Sequence, residues 1–266
     1  MKIRFLGTCG GRFAVIKQMR ASGGFIVEIG EKIIHIDPGP GAIVRARQFG
    51  FNIEKVDILA ISHSHPDHYT DAEIVIEAMT AGVKRKRGVL IGNKYIIEHD
   101  DEHRQLVSPY HLRTLEKYFV LRPGDKINIG KLRIEATKTM HEEKHGIGFV
   151  IDDGKERFGY TGDTKYFDGL VDYFSNCNVL VMNVMKPKNE FLEGHMNTHD
   201  AAKLISKTKP GIAIIQHFGM SMLFSNPEKE ARWIESETKV RTIAARDNMS
   251  LDTKKETGGK SLERWL

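Results

Sequence analysis

Short apolar runs separated by turn residues recur along this chain and predict alternating strands and helices. Residues 2–6, 24–29 and 32–36 are the first such runs, and they predict a three-stranded meander that closes at Asp37-Pro38-Gly39. Residues 56–61 have the length of a buried strand, and a dense polar cluster follows them at once. We therefore expect chemistry at the end of this strand.

The second half of the chain repeats the order of strands followed by helices. Gly130 and Asp153-Gly154 predict the turns of two hairpins, 126–137 and 148–161. Further strands are predicted at 89–91, 179–183, 211–215, 241–244 and 249–252. Apolar residues at helical spacing predict helices over 42–49, 71–81, 199–207 and 226–240. Thr198 is the predicted cap of the third of these helices.

No linker rich in Pro, Gly or Ser separates the two halves, which indicates one domain over residues 1–266. The expected fold class is α/β, with two mixed sheets packed together and helices on both outer faces, a four-layer αββα sandwich. The polar stretch 95–119 is predicted to be an irregular excursion that ends in a helix over 112–119. The tail after residue 254 is predicted to fray.

Composition limits the classes of protein that remain. The 266 residues are 40% hydrophobic and 28% charged, a globular balance, and a net charge of +5 permits anionic partners without requiring them. Two cysteines exclude a disulfide framework and favour a reducing compartment. No apolar run approaches the ~18 residues of a spanning helix, and the N-terminus lacks a signal-peptide core. We expect a cytoplasmic protein without a membrane partner.

The polar cluster at residues 63–68 is the strongest chemical signal. His63 and His65 are two apart, so in extended backbone their side chains face the same way and can converge on one cation. Asp67 and His68 can reach a second cation where the chain turns into a helix. Imidazole and carboxylate together suit Zn, Fe, Mn or Ni, and the absence of nearby Cys argues against a structural thiolate site.

This cluster resembles the His-x-His-x-Asp-His motif of the metallo-β-lactamase-fold hydrolases, and the other elements of that family occur in the expected order. They are Asp37, His141, Asp163 and His217, each of which follows a predicted strand. His145, four residues beyond His141, is a competing choice for the third histidine. Asp163 could instead cap a helix.

The resemblance implies two divalent metal ions, with Zn favoured over Mn, Fe and Ni. One metal would be held by His63, His65 and His141, and the other by Asp67, His68 and His217. Asp163 would bridge the two, and Asp37 would be a structural residue behind the ligands. A hydroxide between the metals would attack the substrate, with Asp67 counted among both the ligands and the catalytic residues. Since diiron oxidoreductase relatives carry Glu where this chain has His65, hydrolysis is favoured over redox chemistry.

The glycine-rich segments 6–12 and 20–24 resemble the branch of this family that contains ribonuclease Z and cyclic-phosphate phosphodiesterases. Clustered glycines let backbone amides approach an anion, and Arg12 or Arg20 could neutralise it, although a simple turn with solvated arginines is an equal alternative. The segment Ala245-Arg246-Asp247-Asn248-Met249 also resembles that branch, with Asn248 in place of the usual Gly.

His195, in Gly194-His195-Met196-Asn197-Thr198, resembles the proton-donating histidine of the same branch. A phosphodiester's leaving alkoxide needs a proton, so His195 is the candidate general acid, with a merely structural histidine as the alternative. Only 21 residues separate His141 from Asp163, too few for the long arm that transfer-RNA 3′-endonucleases insert there. We therefore expect a small or nucleotide-like phosphodiester substrate, and nucleic acid is possible but not favoured.

Two rival functions remain open at this stage. The same metals could hydrolyse a thioester, lactone or other carboxylic ester, or the chain could be a non-catalytic module that binds nucleic acid or a metabolite. The basic run at residues 84–87 could contact phosphates, but a solvated turn is the more common role of such a run. His99, His103 and His111 are expected on a surface loop, and a homo-oligomer is possible.

Overall fold

Two β-sheets packed face to face form the centre of the protein in the computed structural model, which describes residues 1–101 and 103–253. The strands of the first sheet are β1 (Lys2–Phe5), β2 (Phe25–Ile29), β3 (Lys32–Ile36), β4 (Ile58–Ile61), β5 (Val89–Gly92), β6 (Lys117–Val120) and β15 (Ser250–Asp252). Their order across the sheet is β15-β1-β2-β3-β4-β5-β6. Strands β3 to β6 run parallel to one another, and the others pair antiparallel.

The second sheet follows the same mixed plan. Its strands are β7 (Lys126–Ile129), β8 (Leu132–Lys138), β9 (Ile147–Asp152), β10 (Arg157–Tyr160), β11 (Val179–Lys186), β13 (Ile212–Gln216) and β14 (Thr242–Ala244), with the short β12 (Met196–Asn197) paired to β11. Their order is β14-β13-β11-β10-β9-β8-β7, in which β10, β11, β13 and β14 are parallel. Both sheets therefore bring the ends of several strands to one edge.

Helices cover the outer faces of the two sheets. They are α1 (Arg12–Ile16), α2 (Ala42–Gln48), α3 (Pro66–Tyr69), α4 (Ala72–Met79), α5 (Lys94–Ile97), α6 (Pro109–Leu112), α7 (Leu170–Phe174), α8 (Thr198–Thr208), α9 (Met220–Ser225) and α10 (Pro227–Thr238), with a 3-10 turn at Ile53–Lys55. One apolar cluster lies between the two sheets. A second lies between the first sheet and its helices, and a third lies between the second sheet and its helices. The predicted four-layer αββα sandwich is confirmed.

The apolar pattern of the central strands agrees with this layering. Every residue of β4 and β13 is buried, because each strand is covered by the opposite sheet on one face and by helices on the other. Alternate residues of β13 accordingly belong to different apolar clusters: Ile214 packs between the sheets, whereas Ile215 packs under the helices.

The predicted helix over residues 112–119 is wrong. The chain forms the short helix α6, turns, and then enters strand β6, whose Lys117-Tyr118-Phe119-Val120 pairs in parallel register with β5. Aromatic and β-branched side chains favour a strand, and the pairing with β5 decides between the two conformations. The excursion thus contains α5, α6 and an edge strand, and the tail after residue 254 lies outside the described residues.

The cap of α8 is also one residue earlier than predicted. Asn197 accepts a hydrogen bond from the amide of Asp200, and the Asp200 carboxylate accepts one from the amide of Asn197, a reciprocal capping box. Thr198 is instead the first helical residue, and its hydroxyl donates to the buried Glu230. Within residues 1–101 and 103–253, none of the helices combines the length and apolar character needed to cross a membrane.

Candidate metal centre

The residues with predicted chemistry lie just beyond the carboxyl ends of strands from both sheets. Asp37 follows β3, His63 follows β4, His141 follows β8, Asp163 follows β10 and His217 follows β13. These strands point in the same direction within each sheet, so their carboxyl ends meet at one edge of the sandwich. Open sheets commonly place their ligand sites at such an edge.

Four of these side chains form a group that we call the three-histidine group. One potential ligand atom from each lies within 4.8 Å of the others, and the members are His63, His65, His141 and Asp163. The Nδ1 atom of His65 and the Nε2 atom of His141 are 3.2 Å apart. His63 and Asp163 are buried, and the other two are half-buried.

A second group lies beside the first and consists of Asp67, His68 and His217, again with ligand atoms within 4.8 Å of one another. The Asp163 Oδ2 atom lies 3.2 Å from His217 Nε2 and 3.6 Å from His68 Nε2, and also 3.9 Å from His63 Nε2. A single carboxylate oxygen therefore faces both groups, which is the position that a bridging ligand requires.

The residues fit a pair of cations by their unsatisfied atoms as well as by their positions. The Nε2 atoms of His63, His68 and His217 are buried and make no hydrogen bond of good geometry among the described residues, although the Asp163 carboxylate oxygen lies 3.2 to 3.9 Å away. A buried nitrogen without a partner is costly unless something binds it, and a divalent cation bound by imidazole and carboxylate meets that need. The arrangement therefore suits divalent metal binding.

Hydrogen bonds behind the rings direct these lone pairs inward. The His68 Nδ1 atom is 2.8 Å from Asp37 Oδ2, the His63 Nδ1 atom is 3.0 Å from Ser62 Oγ, and the His141 Nδ1 atom is 3.0 Å from the Gly194 carbonyl oxygen. Each of these acceptors takes the ring N–H at Nδ1, so Nε2 is the nitrogen that is left to bind a metal. The surrounding protein thus selects the tautomer that can bind a metal.

Asp37 is the central acceptor among the hydrogen bonds behind the histidine rings. Its carboxylate accepts hydrogen bonds from the Ser62 amide at 2.7 Å, the Ser62 hydroxyl at 2.7 Å and the Tyr160 hydroxyl at 2.6 Å, in addition to the His68 ring. The Tyr160 hydroxyl in turn accepts from Asn183 Nδ2, which also donates to Asp163 Oδ1 at 2.6 Å. One buried network therefore joins the ligands of both groups.

The pKa values of two buried groups in this site, Asp163 and Tyr160, are shifted by their surroundings. Burial alone would raise the pKa of the Asp163 carboxyl, but the electrostatic effect of the neighbouring histidine rings, His217 and His68 foremost, outweighs it and holds that pKa well below its ordinary value. Burial raises the pKa of the Tyr160 hydroxyl well above its ordinary value, and the Asp37 carboxylate raises it further. Asp163 therefore stays ionised and Tyr160 stays a hydrogen-bond donor.

His195 lies beside the two groups but belongs to neither. Its Nδ1 atom is 3.6 Å from Asp163 Oδ2, and its ring packs edge-on against the His141 ring with centroids 4.7 Å apart. Burial lowers the pKa of the His195 imidazole to about 4, although the Asp163 carboxylate opposes that shift. The ring is mostly covered, with 13% of its side chain exposed.

The glycine-rich segment supports the ligands directly. The Gly11 amide donates to Asp67 Oδ2 at 3.2 Å, and the Gly10 amide donates to the carbonyl of Phe218, next to His217. A Cβ atom at Gly10 would lie 2.2 Å from the His217 ring, so only glycine fits there. The segment therefore positions two candidate ligands of the second group.

Replacing Gly10 by alanine is expected to displace the His217 ring and to lower metal affinity about tenfold or more, because the new methyl group and the ring cannot occupy the same space. Metal binding by competition with a chelator measures this effect. Gly130→Ala is the control for a strained glycine replacement away from the site: its φ of 59° disfavours alanine, but a Cβ there meets nothing within 4 Å, so metal affinity should not change. Equal affinities in the two variants would show that His217 does not depend on this contact.

The two arginines predicted to bind substrate differ in position. Arg12 is exposed and pairs with Glu142, whose carboxylate also contacts His65, so it lies at the mouth of the site. Arg20 is held by the Thr8 hydroxyl, the Ala245 carbonyl and Glu228. These contacts give Arg20 a structural role, and substrate binding by either arginine stays a prediction.

Two residues that support the site were not among the site residues expected from the sequence. Glu143 is buried and accepts hydrogen bonds from the Ser64 amide, the Asn93 side chain and the His145 amide, which ties the two ligand-bearing loops together. Asp247 accepts from the Thr8 and Ala21 amides and holds the glycine-rich segment. The resemblance of residues 245–249 to a known branch was the one clue to Asp247.

Asn248 stands where the related branch has glycine. Its φ of 65° lies in the left-handed region, which Asn adopts more readily than most other side chains. The competing histidine, His145, is outside both groups and packs edge-on against Tyr95.

The remaining sequence candidates lie outside the two groups. His111 is buried and contacts Glu73 and Glu77, so its predicted place on a surface loop is wrong. In the basic run, the first three residues are exposed, whereas Arg87 pairs with Asp57 and donates to the Glu54 carbonyl.

Comparison with known proteins shows the same assignment from independent sequences. Residues 32–218, more than half of the chain, match the family model described as beta-lactamase superfamily domain. An uncharacterised protein of Methanocaldococcus jannaschii is 40% identical over 254 residues, 95% of each chain. The ribonuclease Z of Methanopyrus kandleri is 31% identical over 153 residues, 56% of this chain and 48% of that protein.

Solved structures agree on the fold. The metallo-beta-lactamase fold protein YhfI of Bacillus subtilis has a TM-score of 0.76 at 21% identity, and the match covers 94% of this chain and 98% of that one. A diphosphatase of the PhnP family has a TM-score of 0.68 at 15% identity, covering 94% and 97%. With the two groups of ligand atoms at the strand ends, these matches show that the chain belongs to the metallo-β-lactamase superfamily of metal-dependent hydrolases.

Proposed function

We propose that this protein is a dinuclear metal-dependent phosphodiesterase that acts on a small or nucleotide-like phosphodiester. The superfamily supplies the reaction type, hydrolysis, and the ligand groups supply places for two divalent cations. Zn is the favoured metal, because imidazole-rich sites with carboxylates suit it well.

The ligand sets divide between the two groups as their positions suggest. The three-histidine group would hold one cation, Asp67, His68 and His217 would hold the other, and Asp163 would contact both. When bound, two neighbouring cations make hydroxide available near neutral pH and polarise the phosphoryl oxygen. The contribution of this chain is to keep the ligand rings in one tautomer and to leave the mouth of the site open beside Arg12.

The observation that carries the choice of a phosphodiester is the place of His195. It lies against the shared carboxylate of Asp163 yet is not a member of either ligand group. In its protonated form, a histidine in that place is near enough to the reacting atoms to donate a proton to a leaving group. Burial disfavours that form by lowering the His195 pKa to about 4, so we expect the proton-donating role to be strongest at acidic pH. Departure of an alkoxide from phosphorus needs such a proton, whereas departure of a thiolate does not.

The relatives support the same class of substrate. Ribonuclease Z and a PhnP-family diphosphatase are among the proteins that resemble this chain, and both names describe cleavage of bonds to phosphorus. The connection between His141 and Asp163 is filled by β9, β10 and short turns, with no arm for a large ligand. This favours a small substrate over a folded RNA.

Replacing His195 by alanine is expected to lower kcat for an alkyl phosphodiester by about 10²- to 10⁴-fold, the usual contribution of a general acid. The loss should be far smaller for a bis(nitrophenyl) phosphate, because nitrophenolate leaves without a proton. Hydrolysis rates of both esters, and of an aryl thioester, measure this difference at equal metal content.

His199→Ala is the matched control, since His199 is exposed, packs on Trp233 and lies four residues from His195. Equal losses on the alkyl and nitrophenyl esters would reject a proton-donating role for His195. Turnover of the thioester with none of either phosphodiester would favour carboxylic ester hydrolysis. No hydrolysis of any ester by the metal-loaded protein would favour a binding module.

A further inference from the structure

In each histidine ring of the three-histidine group, one nitrogen faces the group and the other faces outward. The rings differ in the residue that the outward nitrogen contacts. His63 and His141 are held by Ser62 and by the Gly194 carbonyl, which belong to the folded body of the protein. His65 is turned the other way: its Nδ1 atom faces the His141 Nε2 atom at 3.2 Å, so Nε2 is its outward nitrogen. That outward nitrogen lies 3.2 Å from Glu142 Oε1.

Glu142 is an unusual support because it is exposed. Its side chain is 63% exposed, and the same oxygen that faces His65 accepts a hydrogen bond from Arg12 Nη2 at 3.0 Å. The Arg12 side chain is 81% exposed on the first turn of α1. The carboxylate is therefore restrained from two sides, by a ligand ring and by a guanidinium, at the mouth of the site.

A neutral imidazole carries one N–H, and the nitrogen that donates cannot bind a cation. If His65 Nε2 donates to Glu142, the lone pair is left on Nδ1, the atom that faces the three-histidine group. Outer partners of this kind typically change metal affinity 10- to 100-fold when removed, because they fix both the tautomer and the orientation of the ring.

We propose that Glu142 is a positioning residue for metal binding: it accepts the His65 Nε2 proton and so directs His65 Nδ1 toward the cation of the three-histidine group. The inference rests on the metal centre of the proposed function but not on the identity of the substrate.

The test compares Zn²⁺ binding by full-length protein carrying Glu142→Ala, Glu142→Gln or Glu193→Ala. Glu193 is the matched control, because it is 67% exposed and paired with Lys165 but does not contact a ligand ring. Affinities come from competition with a chromophoric chelator. Nitrogen-15 NMR of the Zn²⁺-loaded protein reports which nitrogen of His65 carries the proton, and thermal unfolding of the metal-free proteins checks that each variant folds.

We expect Glu142→Ala to lower the affinity for one of two Zn²⁺ ions about tenfold or more, and the loss in Glu193→Ala to be less than twofold. Glu142→Gln should keep the proton on His65 Nε2 and lose less affinity than Glu142→Ala, since its amide oxygen still accepts. Equal affinities in Glu142→Ala and Glu193→Ala, or a wild-type His65 with its proton on Nδ1, would overturn the inference.

Failure of the proposed function gives a different result. Wild-type protein that binds two Zn²⁺ ions but cleaves no phosphodiester would reject the phosphodiesterase and leave the role of Glu142 intact. Wild-type protein that binds no Zn²⁺ would overturn both.

Discussion

Asp163→Asn is expected to reduce the bound metal from about two equivalents to one or fewer and to lower turnover at least 100-fold. Asp163 Oδ2 is the oxygen that faces both ligand groups, and its other oxygen is held by Asn183. An amide has no negative charge to offer two cations, and its NH₂ group would face Asn183 Nδ2 or the ligand rings. Elemental analysis after dialysis, with hydrolysis assays on the same samples, measures both losses.

Asp172→Asn is the control for loss of an aspartate charge, because Asp172 is exposed on α7. It should keep both metals and full activity. Two equivalents of metal in Asp163→Asn would mean that each group binds its cation without a shared carboxylate. The proposed bridging role of Asp163 would then be wrong.

Asp37→Ala is expected to destabilise the metal-free protein by about 3–5 kcal/mol and to lower metal affinity by a further 10- to 100-fold. The substitution leaves the Tyr160 hydroxyl, the His68 ring and the Ser62 amide without their buried acceptor. Each of these groups keeps the cost of its lost hydration with nothing to offset it. Urea unfolding of the metal-free protein measures the free energy of unfolding.

Two further variants separate the network from a general effect of losing a carboxylate. Tyr160→Phe removes one donor and should cost about 1 kcal/mol. Asp71→Asn alters a carboxylate that accepts the Gly41 and Ile43 amides outside this network, and it should leave metal affinity unchanged. If Asp37→Ala lowers the free energy of unfolding no more than Asp71→Asn does, Asp37 is not the central acceptor that its contacts indicate.

The fold was predictable wherever the chain pattern matched the pattern of burial. The strand at 56–61 was recognisable as a short apolar run because β4 is covered on both faces. The hairpin at Asp153-Gly154 was recognisable because Gly154 has a φ of 83°, which its turn needs. The strand that begins within residues 112–119 was not recognisable, because a four-residue edge strand has too little pattern of its own. Its pairing with β5 decides the conformation.

The candidate site divides in the same way. Spacing within residues 63–68 predicted that two ligand pairs would point to two cations, and the structure places those side chains in two adjacent groups. Resemblance to a family brought in His141, Asp163 and His217. Neither argument reached Tyr160, Asn183 or Glu143, because a hydrogen bond across 20 residues or more leaves no local trace in the order of the side chains.

The sequence by itself determined the class of the fold and the ligand types of residues 63–68, since periodicity and a dense motif are local properties of the chain. The reaction class came from the resemblance of its motifs to a known family. Tertiary structure alone decided that one oxygen of Asp163 faces both groups, that Asp37 collects four hydrogen bonds, and that Glu142 stands behind His65. These features arise where strand ends of two sheets meet. Distance in space, which the chain order does not encode locally, sets which donor finds which acceptor.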